Sequence, residues 1–203
     1  MRLTKYGHAC VRLEEDDRVL VIDPGEFAEA EALAGADAVL VTHEHDDHID
    51  AARLAAARAG DSELEVYTHP ALAAAIGATP VASGETFTAA GFTVRVVGGE
   101  HALIIDNLPG CPNIGFIVDG LYHPGDSLFV PAEPVSTLLV PCSGPWLKLG
   151  EAIEFARAVG PDQAFPIHEM HASEIGQESF DWLMGAKGQI SYARLATGAS
   201  ATL

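Results

Sequence analysis

Lysine and arginine are scarce in this chain, 11 against 29 aspartates and glutamates, which leaves a formal net charge of −18 over 203 residues. Proteins that hold nucleic acid neutralise phosphates with cations, and no local basic patch interrupts the acidic balance, so a nucleic-acid partner is not expected. Cysteine is rarer still. Cys10, Cys111 and Cys142 are widely spaced with no C-x-x-C pair, which excludes a disulfide framework and a cysteine zinc site, and each is expected to be a buried thiol. Nowhere do 18 uncharged apolar residues follow one another, which excludes a transmembrane segment of the usual kind. Met1 to Tyr6 reads as a strand rather than a basic segment leading into an apolar one, so a cytoplasmic protein is expected. Linkers, low-complexity tracts and repeats are missing too. With 48% hydrophobic residues, the chain fits one domain over residues 1–203 with a sizeable core.

What is present is concentrated in Val41-Thr42-His43-Glu44-His45-Asp46-Asp47-His48, with three imidazoles and three carboxylates in one short run. An apolar run from Ala36 to Val41 leads in and reads as a buried strand, while residues 51–59 read as a helix capped by Asp50. The cluster therefore lies in a strand-to-helix turn. If Thr42 to His45 stay extended, His43 and His45 project to one side, and the turn brings Asp47 and His48 nearby. Such ligand types at such spacing point to metal binding, with a solvated acidic loop as the alternative.

Around this cluster the pattern alternates. Ala9 to Leu13 and Val19 to Ile22 form a hairpin ending at Asp23-Pro24-Gly25, and residues 26–34 predict a helix closed by Gly35. Residues 64–68 read as a strand, 71–76 as a helix, and 80–98 as β-structure delivering His101. Ile114 to Val118 and Leu121-Tyr122 flank Asp119-Gly120 as a hairpin that runs into His123-Pro124-Gly125-Asp126. Further on come a strand at 137–140, a helix at 150–159, a strand at 164–167 ending at His168, a helix from Ser173 to about Met184, and a closing strand within 189–195.

These residues together resemble the metallo-β-lactamase superfamily. His43-x-His45-x-Asp47-His48 is similar to its H-x-H-x-D-H motif, and His101, Asp126 and His168 follow in the family's order. The resemblance implies an α+β fold, a four-layer αβ/βα sandwich of two mixed β-sheets packed face to face with helices on the outer faces. It also implies a site in which His43, His45 and His101 hold one metal, Asp47, His48 and His168 a second, and Asp126 bridges both. Gly7-His8-Ala9-Cys10, Val21-Ile22-Asp23-Pro24 and His123-Pro124-Gly125-Asp126 resemble the UPF0173 and L-ascorbate-6-phosphate lactonase-like hydrolases. The Gly-His-Ala opening is also similar to the N-acyl-phosphatidylethanolamine phospholipase D branch, which keeps a phosphodiester among the substrate classes.

The expected cofactor is a pair of divalent ions, Zn2+ first and Mn2+ or Fe2+ as alternatives, since neutral imidazole and carboxylate suit all three. Such a pair lowers the pKa of a shared water, and Asp47 and Asp126 are the expected catalytic residues that orient the resulting hydroxide. The expected activity is hydrolysis of a lactone, ester or phosphodiester; an iron-dependent oxidoreductase and a non-catalytic metal-binding protein are the alternatives. The partner is a small-molecule substrate, with an anion allowed because exposed acidic charges are screened beyond about 8 Å. A homo-oligomer is left open. Asp23 reads equally as a carboxylate supporting a ligand histidine and as a turn residue before Pro24. His8 and His123 read as pocket or supporting residues, or as core histidines. Trp146 and Lys148 either line the entrance or lie on the surface, and His69 and His171 read as structural or exposed.

Overall fold

The computed structural model describes residues 1–106, 108 and 110–203. Its first six strands are β1 (Arg2–Lys5), β2 (Val11–Glu15), β3 (Arg18–Ile22), β4 (Ala38–Leu40), β5 (Glu65–Thr68) and β6 (Thr79–Pro80). Seven more follow: β7 (Thr86–Ala89), β8 (Phe92–Glu100), β9 (Pro112–Val118), β10 (Leu121–His123), β11 (Thr137–Pro141), β12 (Gln163–Ile167) and β13 (Ser191–Tyr192). A last strand, β14 (Ser200–Thr202), returns to β1, so each of the two sheets has seven strands, ordered β14-β1-β2-β3-β4-β5-β6 and β13-β12-β11-β10-β9-β8-β7. Both sheets are mixed in the same way. Pairing is antiparallel from β14 to β3 and from β7 to β10, then parallel from β3 to β6 and from β10 to β13.

Strand alternation explains why two sheets need four layers. On one face Leu3, Leu13, Leu20, Ile22 and Leu40 of the first sheet meet Val94, Phe116, Val118, Leu139 and Ile167 of the second in one buried cluster. The opposite faces are covered by helices. Val21, Val39 and Val66 pack under Leu54 of α1 (Ala51–Gly60) and Leu72 of α2 (Pro70–Ile76). Tyr122, Leu138 and Val140 pack under Ile153 and Phe155 of α3 (Leu149–Val159) and Phe180 and Met184 of α4 (Glu174–Lys187). This is the four-layer sandwich that the resemblance implies. Among the described residues no helix is long and apolar enough to cross a membrane.

Three expectations are corrected. Residues 26–34 do not form an α-helix; a single 3-10 turn spans Ala30–Leu33. The backbone donors are spent elsewhere, Glu26 N–H on Asp46 O and Glu29 N–H on Tyr6 O, and these ties hold the segment against the metal-motif turn and β1. The closing strand at 189–195 shrinks to Ser191–Tyr192 beside β12. Beyond it Arg194 is drawn to Asp181 of α4, with nitrogen–oxygen distances of 2.8 and 2.7 Å, and the chain leaves the sheet. Cys10 and Cys142 are buried as expected, whereas Cys111 is half-buried and opens to a cleft; all three are free thiols.

Candidate metal centre

Strand ends build the site. Ile22 hands over to Asp23, Leu40 to the His43–His48 turn, Glu100 to His101, His123 to Asp126 and Ile167 to His168, all along one edge of the sandwich. The chain must leave β-structure abruptly there. His8, Asp23 and His168 accordingly hold positive φ angles of 48°, 51° and 62°, sparsely populated for residues with a Cβ and costing of order 1 kcal/mol or more each. Surrounding bonds hold these turns. His168 N–H donates to His8 O at 3.1 Å, and Ser143 Oγ donates to His168 O.

Asp126 stands at the centre. Its Oδ2 lies 3.2 Å from His101 Nε2 and 3.9 Å from His43 Nε2, and its Oδ1 lies 3.0 Å from His48 Nε2 and 3.1 Å from His168 Nε2. His43, His45 and His101 gather with it on one side, and His48 and His168 on the other. His43 Nε2 and His45 Nδ1 are 3.0 Å apart, so the motif's first two imidazoles do face the same way. Asp47 Oδ2 lies 3.4 Å from His168 Nε2. All seven residues singled out as ligands thus converge on one site.

Hydrogen bonds assign the imidazole tautomers. Thr42 donates to Asp23 twice, from N to Oδ1 at 2.8 Å and from Oγ1 to Oδ2 at 2.7 Å. With its proton committed, Thr42 Oγ1 accepts from His43 Nδ1 at 3.0 Å, while Asp23 Oδ2 accepts from His48 Nδ1 at 2.7 Å. His101 Nδ1 donates to Ala102 O at 2.6 Å. Each ring therefore turns its Nε2 inward, the nitrogen that binds metal when the imidazole is neutral. His48 Nε2, His101 Nε2, Asp126 Oδ1 and both nitrogens of His168 are buried and lack a hydrogen-bond partner among the described residues. Unpaired buried polar atoms cost about 1–3 kcal/mol each. Nitrogen and oxygen ligands about 2.1 Å from one ion stand roughly 3.4 Å from each other in a tetrahedron. The distances above match that spacing, so the donor set fits divalent metal.

The metal-free electrostatics centre on Asp126. Burial presses Asp126 towards neutrality, yet the imidazoles of His48, His101 and His168 hold its carboxyl well below the usual carboxylate range. Burial likewise opposes charge on His48, but Asp126 and Asp23 on either side push it well above the ordinary imidazole value. For His43 burial dominates, reinforced by His48, and its pKa falls well below normal.

The supporting residues divide clearly. Asp23, fully buried, touches His48 directly. Trp146 is buried and its indole N–H donates to Asp126 Oδ2 at 2.8 Å. His8 accepts Met170 N–H at Nδ1 (3.3 Å) and turns its Nε2 to Asp47 Oδ2 at 3.1 Å. His123 has both nitrogens engaged by backbone, Ala9 O at 2.8 Å and Gly125 N at 3.1 Å, so it serves packing. Lys148 lines a cleft but is 85% exposed and 3.5 Å from Glu151. His69 caps α2 through Leu72 N–H and meets Glu44 at 3.1 Å.

Three contributors had no signal strong enough in the sequence. Asn113 Oδ1 accepts Asp126 N–H at 3.0 Å while its Nδ2 donates to Pro124 O at 2.8 Å, which clamps the Asp126 turn. Lys5, buried against Glu169 at 2.8 Å and His8 O, ties β1 to the His168 turn, and burial lowers its pKa. His171 is exposed, as read, but sits at the site: its ring stacks on His168 at 5.2 Å and its Nε2 lies 3.5 Å from Asp47 Oδ2. Its three-residue spacing from His168 was the only hint.

Residues 2–168 match the family model described as the beta-lactamase superfamily domain. Protein Rv0786c of Mycobacterium tuberculosis is 41% identical over 178 residues, 83% of this chain and 84% of that protein. A UPF0173 metal-dependent hydrolase of Methanoregula boonei is 34% identical over 187 residues, 83% of this chain and 82% of that one. The crystal structure of a metal-dependent hydrolase from Parabacteroides distasonis shares the fold with a TM-score of 0.77 at 22% identity, covering 96% of this chain and 92% of that one. The chain belongs to the metallo-β-lactamase superfamily and, within it, to the UPF0173 metal-dependent hydrolase family.

Proposed function

We propose that this protein is a binuclear hydrolase of a lactone, ester or phosphodiester, with His43, His45 and His101 holding one divalent ion, Asp47, His48 and His168 the other, and Asp126 shared. The convergence of partnerless buried Nε2 atoms on the two oxygens of Asp126 carries the reading. Zinc is the first expectation, with manganese or iron as alternatives for the same donors. Bound ions would supply Lewis acidity towards the substrate oxygen and towards water.

The protein's own groups then do the positioning. Asp23 and Thr42 fix the tautomers of His48 and His43, Trp146 holds the Asp126 carboxylate and Asn113 its backbone N–H, so the ligand set is organised before substrate arrives. Asp47, held at Oδ2 by His8 and only 19% exposed, is the carboxylate that orients the attacking water. Elemental analysis of protein purified without added metal, followed by turnover of lactone, ester and phosphodiester panels, tests this function. Two zinc or manganese ions per chain, with turnover lost in Asp47→Ala, support it. A single iron with oxygen consumption on a thiol would replace it with an oxidoreductase.

A further inference from the structure

Two clefts, about 930 and 680 Å³, flank the segment from Gly99 to Ile104, and His101 lines both. Leu103, Leu128, Phe129, Trp146 and Leu147 wall the larger one. Leu103, Ile104, Leu108 and Cys111 wall the smaller, which reaches His45. Large apolar side chains stand exposed on the segments framing these clefts: Leu103 at 66%, Ile105 at 63%, Leu108 at 49%, Phe129 at 45% and Val130 at 42%. Scattered exposed leucines mean little, but a group of them around a cleft that opens on a reactive centre marks the place of an apolar ligand group. Gly99 adds room, since a Cβ built there meets nothing within 4 Å.

Charge narrows the class. From residue 96 to 156 the sequence holds one Lys or Arg, Lys148. That ammonium is 3.5 Å from Glu151, and Glu100 lines both clefts, so the lining charges sum to a negative value. Among the described residues an anionic substituent would find no unshared cation in either cleft. Trp146 joins cleft to centre: its N–H is committed to Asp126, and its ring stands 5.9 Å from His101 and 5.9 Å from His168, closing the wall between them.

We propose that these clefts form an acyl-chain subsite, so that the substrate is a carboxylic ester or lactone carrying a neutral aliphatic chain rather than a phosphodiester. The inference rests on the hydrolytic reading of the site. In the reaction the acyl carbon–oxygen bond of the ester breaks and a water oxygen bonds to the acyl carbon. One water proton goes to the departing alkoxide oxygen, and the second is released as the product acid ionises.

The test is a series of p-nitrophenyl esters from acetate to decanoate, beside bis-p-nitrophenyl phosphate, on metal-replete protein. Calorimetric binding of 1-butanol and 1-octanol to metal-free protein runs in parallel. Transfer of a methylene from water is worth a factor of about 3–4, so kcat/KM is expected to rise roughly threefold per methylene up to the octanoate. Leu103→Ser and Phe129→Ser, both at exposed positions, are expected to reduce the octanoate-to-acetate ratio about tenfold, whereas Trp182→Ser on α4 leaves it unchanged. Octanol is expected to bind more tightly than butanol. A flat ester series with real turnover, or faster turnover of the phosphodiester than of any ester, overturns the subsite while leaving a hydrolase. If no ester or phosphodiester is turned over, the hydrolytic reading fails instead; the alcohols then decide the subsite, equal binding overturning it and tighter octanol binding sustaining it.

Discussion

The first sheet delivers four of the seven candidate ligands from one turn, His43, His45, Asp47 and His48, whereas the second delivers His101, Asp126 and His168 from three separate strand ends. Both sheets run the same sequence of antiparallel and parallel pairings, so the difference lies in how each uses its edge. In the first, local chain geometry places the groups: His48 N–H and Ile49 N–H both return to His45 O at 2.9 and 3.0 Å, winding the motif on itself. In the second, distant strands must pair in register before the ligands meet, for example Leu138 opposite Ala164 and Tyr122 opposite Leu138. Support differs as well. A carboxylate, Asp23, holds the first set, while a neutral amide and an indole hold Asp126.

The largest effect should erase this contrast. Asp126→Ala removes the one group both halves share, and elemental analysis should find neither ion retained and turnover abolished. His45→Ala should sharpen the contrast by releasing one ion of the two. Next comes the charged support: Asp23→Asn leaves His48 without its acceptor carboxylate, and affinity for the second ion should fall about 10–100-fold in a metal titration. Trp146→Phe deletes a single neutral donor to Asp126 and should cost about 1 kcal/mol, a roughly fivefold weaker affinity in the same titration. Smallest is Asp50→Ala. It removes the acceptor of Arg53 N–H at the start of α1 (2.8 Å), and chemical denaturation should show a loss of about 1 kcal/mol with metal content unchanged.

The same contrast governs what could be read from the sequence. The His43–His48 turn was legible because its chemistry and its flanking strand and helix are contiguous, and α1 begins at the expected Asp50 cap. His101, Asp126 and His168 were legible through family resemblance alone, since nothing local distinguishes them from His123, whose nitrogens are spent on backbone. The 26–34 segment misled because its alanines favour a helix while its backbone donors are claimed by Asp46 and Tyr6, contacts that exist only in the folded chain. Asn113, Lys5 and His171 escaped for a related reason. Each acts across a long sequence separation, 13, 164 and 124 residues from its partner, and only His171 has a spacing, three residues from His168, that hints at it.

The central claim is that two ions share the carboxylate of Asp126. Electron paramagnetic resonance of cobalt-substituted protein addresses it most directly, because ions joined by one carboxylate couple magnetically. The account predicts two cobalt ions per chain with coupled spins in the native sequence, and neither ion nor any coupling in Asp126→Ala. Two uncoupled ions, or full occupancy and coupling surviving Asp126→Ala, would contradict it.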